Sequence, residues 1–236
     1  MQLRQFPDKN TFAEYFQKHN VVPVCREILA DMETPVSVLK KLYTRNSPAF
    51  LLESVEGGER WGRYSFLSTS ARTRVRIFAH TVEVETNGNR EEREHGGNPL
   101  PVLRDLMNRY HPAVIPELPR FWGGLVGYFS YETISFFEKI PNRLPPEQPL
   151  ADFVIPDEML IFDNVKNTLL IVVICFQNDH QNQEAAYQAA EQRIDDLNRA
   201  IEERRIENGT EYNATTEPIT LHPIHESSAY TDNVQI

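Results

Sequence analysis

The chain has 236 residues, 40% of them hydrophobic and 25% charged, which is enough apolar content for a real core and excludes a chain disordered by composition. Its formal charge of −10 excludes the cationic surface with which nucleic-acid binders neutralise phosphates. The longest apolar run, residues 169–176, is far short of the ~18 residues of a membrane span, and the first eight residues lack a signal-peptide core; the reading is a cytoplasmic protein with no membrane partner.

In chain order, residues 11–19 and 35–45 read as short helices, the second opened by Thr34 as a cap and Pro35 at the first helical position. Between them residues 21–28 are β-branched, with Pro23 placing that strand at an edge or a bend. Residues 49–54 form the next strand, and a polar, glycine-containing loop leads to residues 61–67. Val75 and Ile77 alternate with Arg74 and Arg76, and Val82 and Val84 with Glu83 and Glu85, the period-2 pattern of two half-buried antiparallel strands with pairable charges.

The polar run 87–98 reads as an exposed loop, residues 99–110 as an amphipathic helix, and the glycine-rich aromatic stretch 121–131 as a central strand. After a proline-rich crossing, residues 159–163 pair with 168–176 across a turn at 164–167, and residues 183–205 carry a narrow apolar stripe at helical spacing. Residues 206–218 read as a linker. Residues 227–236 look like a capped helix start that stops in mid-element, so the chain reads as a fragment. Strands and helices alternate without a βαβ rhythm, and the fold class is α+β, mostly antiparallel sheets with flanking helices.

Chemistry-bearing patterns are few. Cys25 and Cys175 are far apart without metal-ligand spacing and read as buried thiols, while the seven histidines lie mainly in polar stretches and read as surface residues. The glycines at 123, 124 and 127 lack the lysine and the helix start of a phosphate loop. The segment 50–66 stands apart. Glu53 and Ser54 end a strand, and the chain returns through Arg63, Tyr64 and Ser65. A carboxylate can meet a ligand ammonium, a guanidinium can meet its carboxylate, and aromatic residues can wall its ring. Spacing alone leaves open an ordinary strand end with an Arg–Glu surface pair.

Leu51-Leu52-Glu53-Ser54, followed by Gly62-Arg63-Tyr64-Ser65-Phe66, resembles the regulatory segment and its return in the anthranilate synthase component I family of chorismate-utilising enzymes. Further matches run in the family's order at residues 22–27, 31–37, 123–132 and 230–236; Ser130 and Glu132 stand where members often have glycine and aspartate. The resemblance implies that residues 1–217 are an N-terminal regulatory domain and residues 218–236 a linker with the truncated start of the chorismate-binding catalytic domain. It implies a feedback site for L-tryptophan at Ser54, Glu53, Leu52, Arg63, Tyr64 and Ser65. It further implies an intact lyase of tryptophan biosynthesis that makes anthranilate from chorismate, with Mg2+ and a glutamine amidotransferase subunit (component II) as partners. The family's catalytic and metal-binding residues lie beyond this chain, which is expected to be inactive alone. Two other readings stand beside it: aminodeoxychorismate synthase component I of the folate branch, and a stand-alone amino-acid-binding module.

Overall fold

The computed structural model describes residues 2–45, 47–53 and 62–203. The linker and terminal helix expected beyond residue 203 lie outside the described residues, as does Ser54. Two antiparallel sheets and four α-helices share one apolar core. The six-stranded sheet has the order β1-β2-β11-β10-β4-β3, from β1 (Gln2–Phe6), β2 (Val21–Leu29), β3 (Phe50–Glu53), β4 (Tyr64–Ser68), β10 (Glu158–Asp163) and β11 (Thr168–Phe176). The five-stranded sheet has the order β7-β6-β5-β9-β8, from β5 (Thr73–Ile77), β6 (Thr81–Thr86), β7 (Asn89–Glu94), β8 (Val126–Phe129) and β9 (Ala151–Ile155). The α+β class read from the sequence is the class observed.

The centre of the larger sheet is the hairpin β10–β11, in register from Glu158↔Val173 to Asp163↔Thr168. All fifteen positions of these two strands are buried, which is why β11 reads as a continuous apolar run with no alternation. Helix α4 (Gln183–Glu202) packs on β11 and β2 through Ala186, Ala190, Ile194, Leu197 and Ile201, the stripe visible in the sequence. Helix α1 (Lys9–Lys18) joins it by Phe12, whose ring meets Tyr187 edge-on at 5.2 Å. Helix α2 (Pro35–Leu42) starts with a reciprocal cap, the Ser37 amide donating to Thr34 Oγ1 at 3.1 Å and the Thr34 amide to Ser37 Oγ at 2.9 Å. It packs against β3, β4 and α4, and Lys41 Nζ donates to the Ile201 carbonyl at 2.7 Å, a cation at the negative end of α4.

Four expectations change. Pro23 lies in a strand paired on both sides, yet β1 reaches only as far as the Phe6↔Cys25 pair. Ile174, opposite Pro23, turns its amide to the Asp157 carbonyl, so the missing proline N–H faces the side where β1 has ended. The stretch 87–98 is not all loop: Asn87 and Gly88, with φ of 49° and 80°, form a tight turn and β7 pairs with β6 along its whole length. The strand expected over 121–131 shortens to β8 and lies at the sheet's edge rather than its centre. Close backbone packing does hold there, because a Cβ on Gly127 would fall on the Asp152 carbonyl oxygen and 2.6 Å from Phe153 Cα. His95 is buried rather than superficial, with Nε2 3.0 Å from the Phe78 carbonyl and Nδ1 accepting from the Gly97 amide at 3.1 Å.

The expected cross-strand charges pair in part. Arg76 meets Glu83 at 2.8 Å, whereas Arg74 turns to Asp152 on β9, with contacts of 2.5 and 3.0 Å. Helix α3 (Leu100–Met107) buries Leu103 and Leu106. Cys25 and Cys175 are both buried and free; burial raises both thiols, Cys175 to about 12, which keeps them protonated and unreactive at neutral pH.

Candidate functional site

The segment singled out in the sequence is the outer strand of the larger sheet. β3 pairs with β4 in the register Phe50↔Ser68, Leu51↔Leu67, Leu52↔Phe66 and Glu53↔Ser65. Strand alternation puts Leu52 and Phe66 on one face with Tyr64, and Leu51 and Glu53 on the other with Leu67 and Ser65. Leu67 and Ser65 are buried, which anchors β4, while Leu52 is 43% exposed and Glu53 faces solvent. Phe66 lies 6.0 Å from the Tyr64 ring and meets Phe121 edge-on at 5.0 Å. The result is an aromatic shelf beside a short, half-open strand whose outer edge is unpaired among the described residues.

The return is fixed from the far side of β4. Asp163, at the end of β10, accepts from Arg63 Nη2 at 2.8 Å and from Nε at 3.2 Å, and also from the amides of Val165 and Lys166 at 3.1 and 3.2 Å. Its side chain is only 5% exposed against 48% for Arg63. Burial pushes the Asp163 carboxyl up, but the Arg63 and amide hydrogen bonds outweigh it and hold the group below the usual carboxylate range. Next to it, the Asn164 amide donates to the Arg63 carbonyl at 2.8 Å and Asn164 Nδ2 to the Gly62 carbonyl at 3.0 Å. The Arg63 guanidinium carbon also lies 4.8 Å from the centre of the Tyr64 ring.

Arg63 therefore pairs with Asp163 and not with Glu53. Two of its nitrogens are engaged, and Nη1 is left without a hydrogen bond among the described residues. Glu53 has no ion pair or side-chain hydrogen bond among the described residues, so its carboxylate is available at the strand end. Ser65 faces inward, its Oγ 3.5 Å from Asn164 Nδ2, and supports the return. The structure thus places Glu53 and Ser65 on one face of the β3–β4 pair and Leu52 and Tyr64 on the other, with Arg63 just before the start of β4. Chemically the strand pair offers a carboxylate unpaired among the described residues on one face, an aromatic shelf on the other and a fixed cation at its border. Sequence reading missed Asp163 and Asn164, which lie a hundred residues from their partners and carry no local signal; Phe121 was visible as the start of the aromatic stretch.

Among the described residues no group of three His, Cys, Asp or Glu side chains could hold a metal ion, and no helix is long and apolar enough to cross a membrane. Residues 58–236 match the family described as chorismate binding enzyme. The chain is 40% identical over 191 residues to anthranilate synthase component 1 of Acetivibrio thermocellus, an alignment covering 79% of this chain and 37% of that protein. It is 38% identical over 192 residues to the protein of the same name from Neisseria meningitidis serogroup B, covering 78% and 38%. Against that of Aquifex aeolicus it is 35% identical over 190 residues, covering 80% and 38%. The chain spans less than two-fifths of the length of these relatives. A solved structure of anthranilate synthase component I from Streptococcus pneumoniae TIGR4 aligns with a TM-score of 0.43 and 20% identity, covering 72% of this chain and 36% of that one.

Proposed function

The chain belongs to the chorismate-binding enzyme family, and from that premise we propose that it is the N-terminal, L-tryptophan-sensing portion of an anthranilate synthase component I. The observation that carries this reading is the β3–β4 pair: the segment resembling the family's regulatory motif forms a half-open strand end whose carboxylate pairs with no described residue, with aromatic rings on the other face. A zwitterionic aromatic amino acid bound at the strand end would have its ammonium at Glu53, with the shelf of Leu52, Tyr64 and Phe66 backing the strand from the other face of the sheet. Arg63 acts as a positioning residue, holding the return in place through Asp163. Ser54, which lies outside the described residues, is included on the resemblance alone. The names of the three relatives above favour the tryptophan branch over the folate branch.

The whole enzyme on this reading converts chorismate, with ammonia drawn from glutamine by an amidotransferase subunit, into anthranilate in the cytoplasm. The described residues do not supply a magnesium site, and no step here runs through the ion. Tryptophan would act by binding one of two conformations more tightly than the other, the condition for any allosteric inhibitor.

Calorimetric titration of the 236-residue chain with L-tryptophan, with L-phenylalanine as control, tests the reading together with Ser54→Ala. The expected outcome is saturable heat with tryptophan, little with phenylalanine, and an affinity at least tenfold weaker in the variant. In the full-length enzyme the same substitution should release inhibition and spare uninhibited turnover. Equal tryptophan affinity in S54A and the unsubstituted chain would overturn the assignment.

A further inference from the structure

The family reading leaves one built feature of the molecule without a role. Where the segment 112–124 crosses the ends of β2, β9 and β11, it borders a half-open, predominantly apolar cavity of ≈ 720 Å³. That volume lies within the range of small-molecule sites and is about twice the ≈ 350 Å³ of the polar cleft at Arg72. Three aromatic residues line it: Tyr110, Trp122 and Phe176, with Tyr110 set edge-on to Phe176 at 5.7 Å. Such rings favour a flat aromatic guest over a flexible chain.

The polar features of the wall are specific. Arg120 lines the cavity and makes no ion pair or hydrogen bond among the described residues, although most of the chain's other arginines in described elements are matched to acids. Beside it the backbone of Gly123 and Gly124 contributes to the lining, and neither glycine makes a hydrogen bond among the described residues. Gly124 has φ +120°, a conformation that L side chains rarely adopt, so the bend that opens this stretch of backbone to the cavity requires glycine. An unpaired guanidinium and unpaired backbone amides next to an aromatic interior are complementary to one carboxylate attached to a ring.

We propose that this cavity is a binding site for an aromatic carboxylate of one or two fused rings, the ring seated among Tyr110, Trp122 and Phe176 and the carboxylate meeting Arg120. The site shares no residue with the β3–β4 patch, and it is independent of the tryptophan reading. It is nevertheless linked to that patch, because Phe121, next to both Arg120 and Trp122, packs on Phe66 of β4. A guest in the cavity therefore lies next to the residue that packs on the aromatic shelf of β4.

The chain has only two tryptophans, Trp61 and Trp122, so Trp61→Phe leaves Trp122 as the sole indole N–H signal in a 15N-correlated spectrum. Titration of the W61F chain with indole-3-acetate should move that signal saturably, and indole, which lacks the carboxylate, should bind at least tenfold more weakly. Arg120→Gln in the same background should weaken indole-3-acetate at least tenfold and leave indole unchanged; the unchanged indole affinity also shows that the cavity is intact. An unmoved Trp122 signal, or equal indole-3-acetate affinity with and without Arg120, would overturn the proposal. Neither result bears on Ser54, so the two sites fail separately.

Discussion

The middle of the larger sheet and its outer edge are built from neighbouring strands yet obey different rules. β10 and β11 are buried along their full length, and α4 packs on β11, so nearly every side chain there serves packing. β3 has four residues, none fully buried, and is held by one neighbouring strand and by α2 behind it. A strand with so little burial cannot define its own position; it inherits it from β4, which is in turn pinned to β10. The packed centre thus supplies the precision, and the lightly held edge keeps its side chains half exposed.

Substitutions at graded distances from the centre sharpen that contrast. Ile171→Ala, in the fully buried middle of β11, should cost about 4 kcal/mol in denaturant unfolding, through lost burial and the cavity left behind. Arg193→Ala should come next. Glu158 at the start of β10 is buried and accepts from Arg193 at 2.7 and 3.0 Å, and removing the cation strands the carboxylate. Because Arg193 is half exposed, the loss should be about 3 kcal/mol, at the low end for a broken buried pair. Leu52→Ala should be smallest in stability, about 1 kcal/mol or less, yet it should weaken tryptophan binding, since half of that side chain already faces solvent. A Leu52 variant as destabilising as Ile171→Ala would show that the edge is part of the core after all.

The two acids that bracket β10 titrate in opposite senses. Burial holds Glu158 above the usual range despite Arg193, so its folded value exceeds the unfolded one, and its contribution becomes less favourable as pH rises from about 4.3 through that higher value. Asp163 is held low, so its stabilising contribution is complete above its unfolded value of about 3.9 and disappears as pH falls through the lower folded value. Unfolding of Asp163→Asn between pH 2 and 5 should therefore show a flatter acid limb than the unsubstituted chain; an unchanged limb would remove Asp163 from the acid transition.

Local pattern carried the helices and the central hairpin into the sequence reading, because the α4 stripe and the β11 run record burial directly in residue type. It failed where burial and residue type part. β7 is Asn-Arg-Glu-Glu-Arg-Glu, with no apolar face to mark it, and only the Asn87-Gly88 turn signalled a hairpin. The buried acids Glu27, Glu158 and Asp163 look like surface residues in the sequence, since their partners come from distant elements: Arg4 and Thr168, Arg193, and Arg63. At the candidate site the residue types were legible, but the partner of Arg63 was not, because nothing local relates it to a turn a hundred positions away.

That turn has a consequence for how the protein can be altered. The chain between β3 and β4 leaves from a paired residue, Glu53, and re-enters at Gly62 and Arg63, whose carbonyls are both bound by Asn164. A single residue of the turn after β10 therefore holds two successive carbonyls at the entrance to β4, and the start of that strand is set from the turn. The turn after β10 is accordingly a handle on where β4 begins, reachable by substitution without touching either strand of the candidate site.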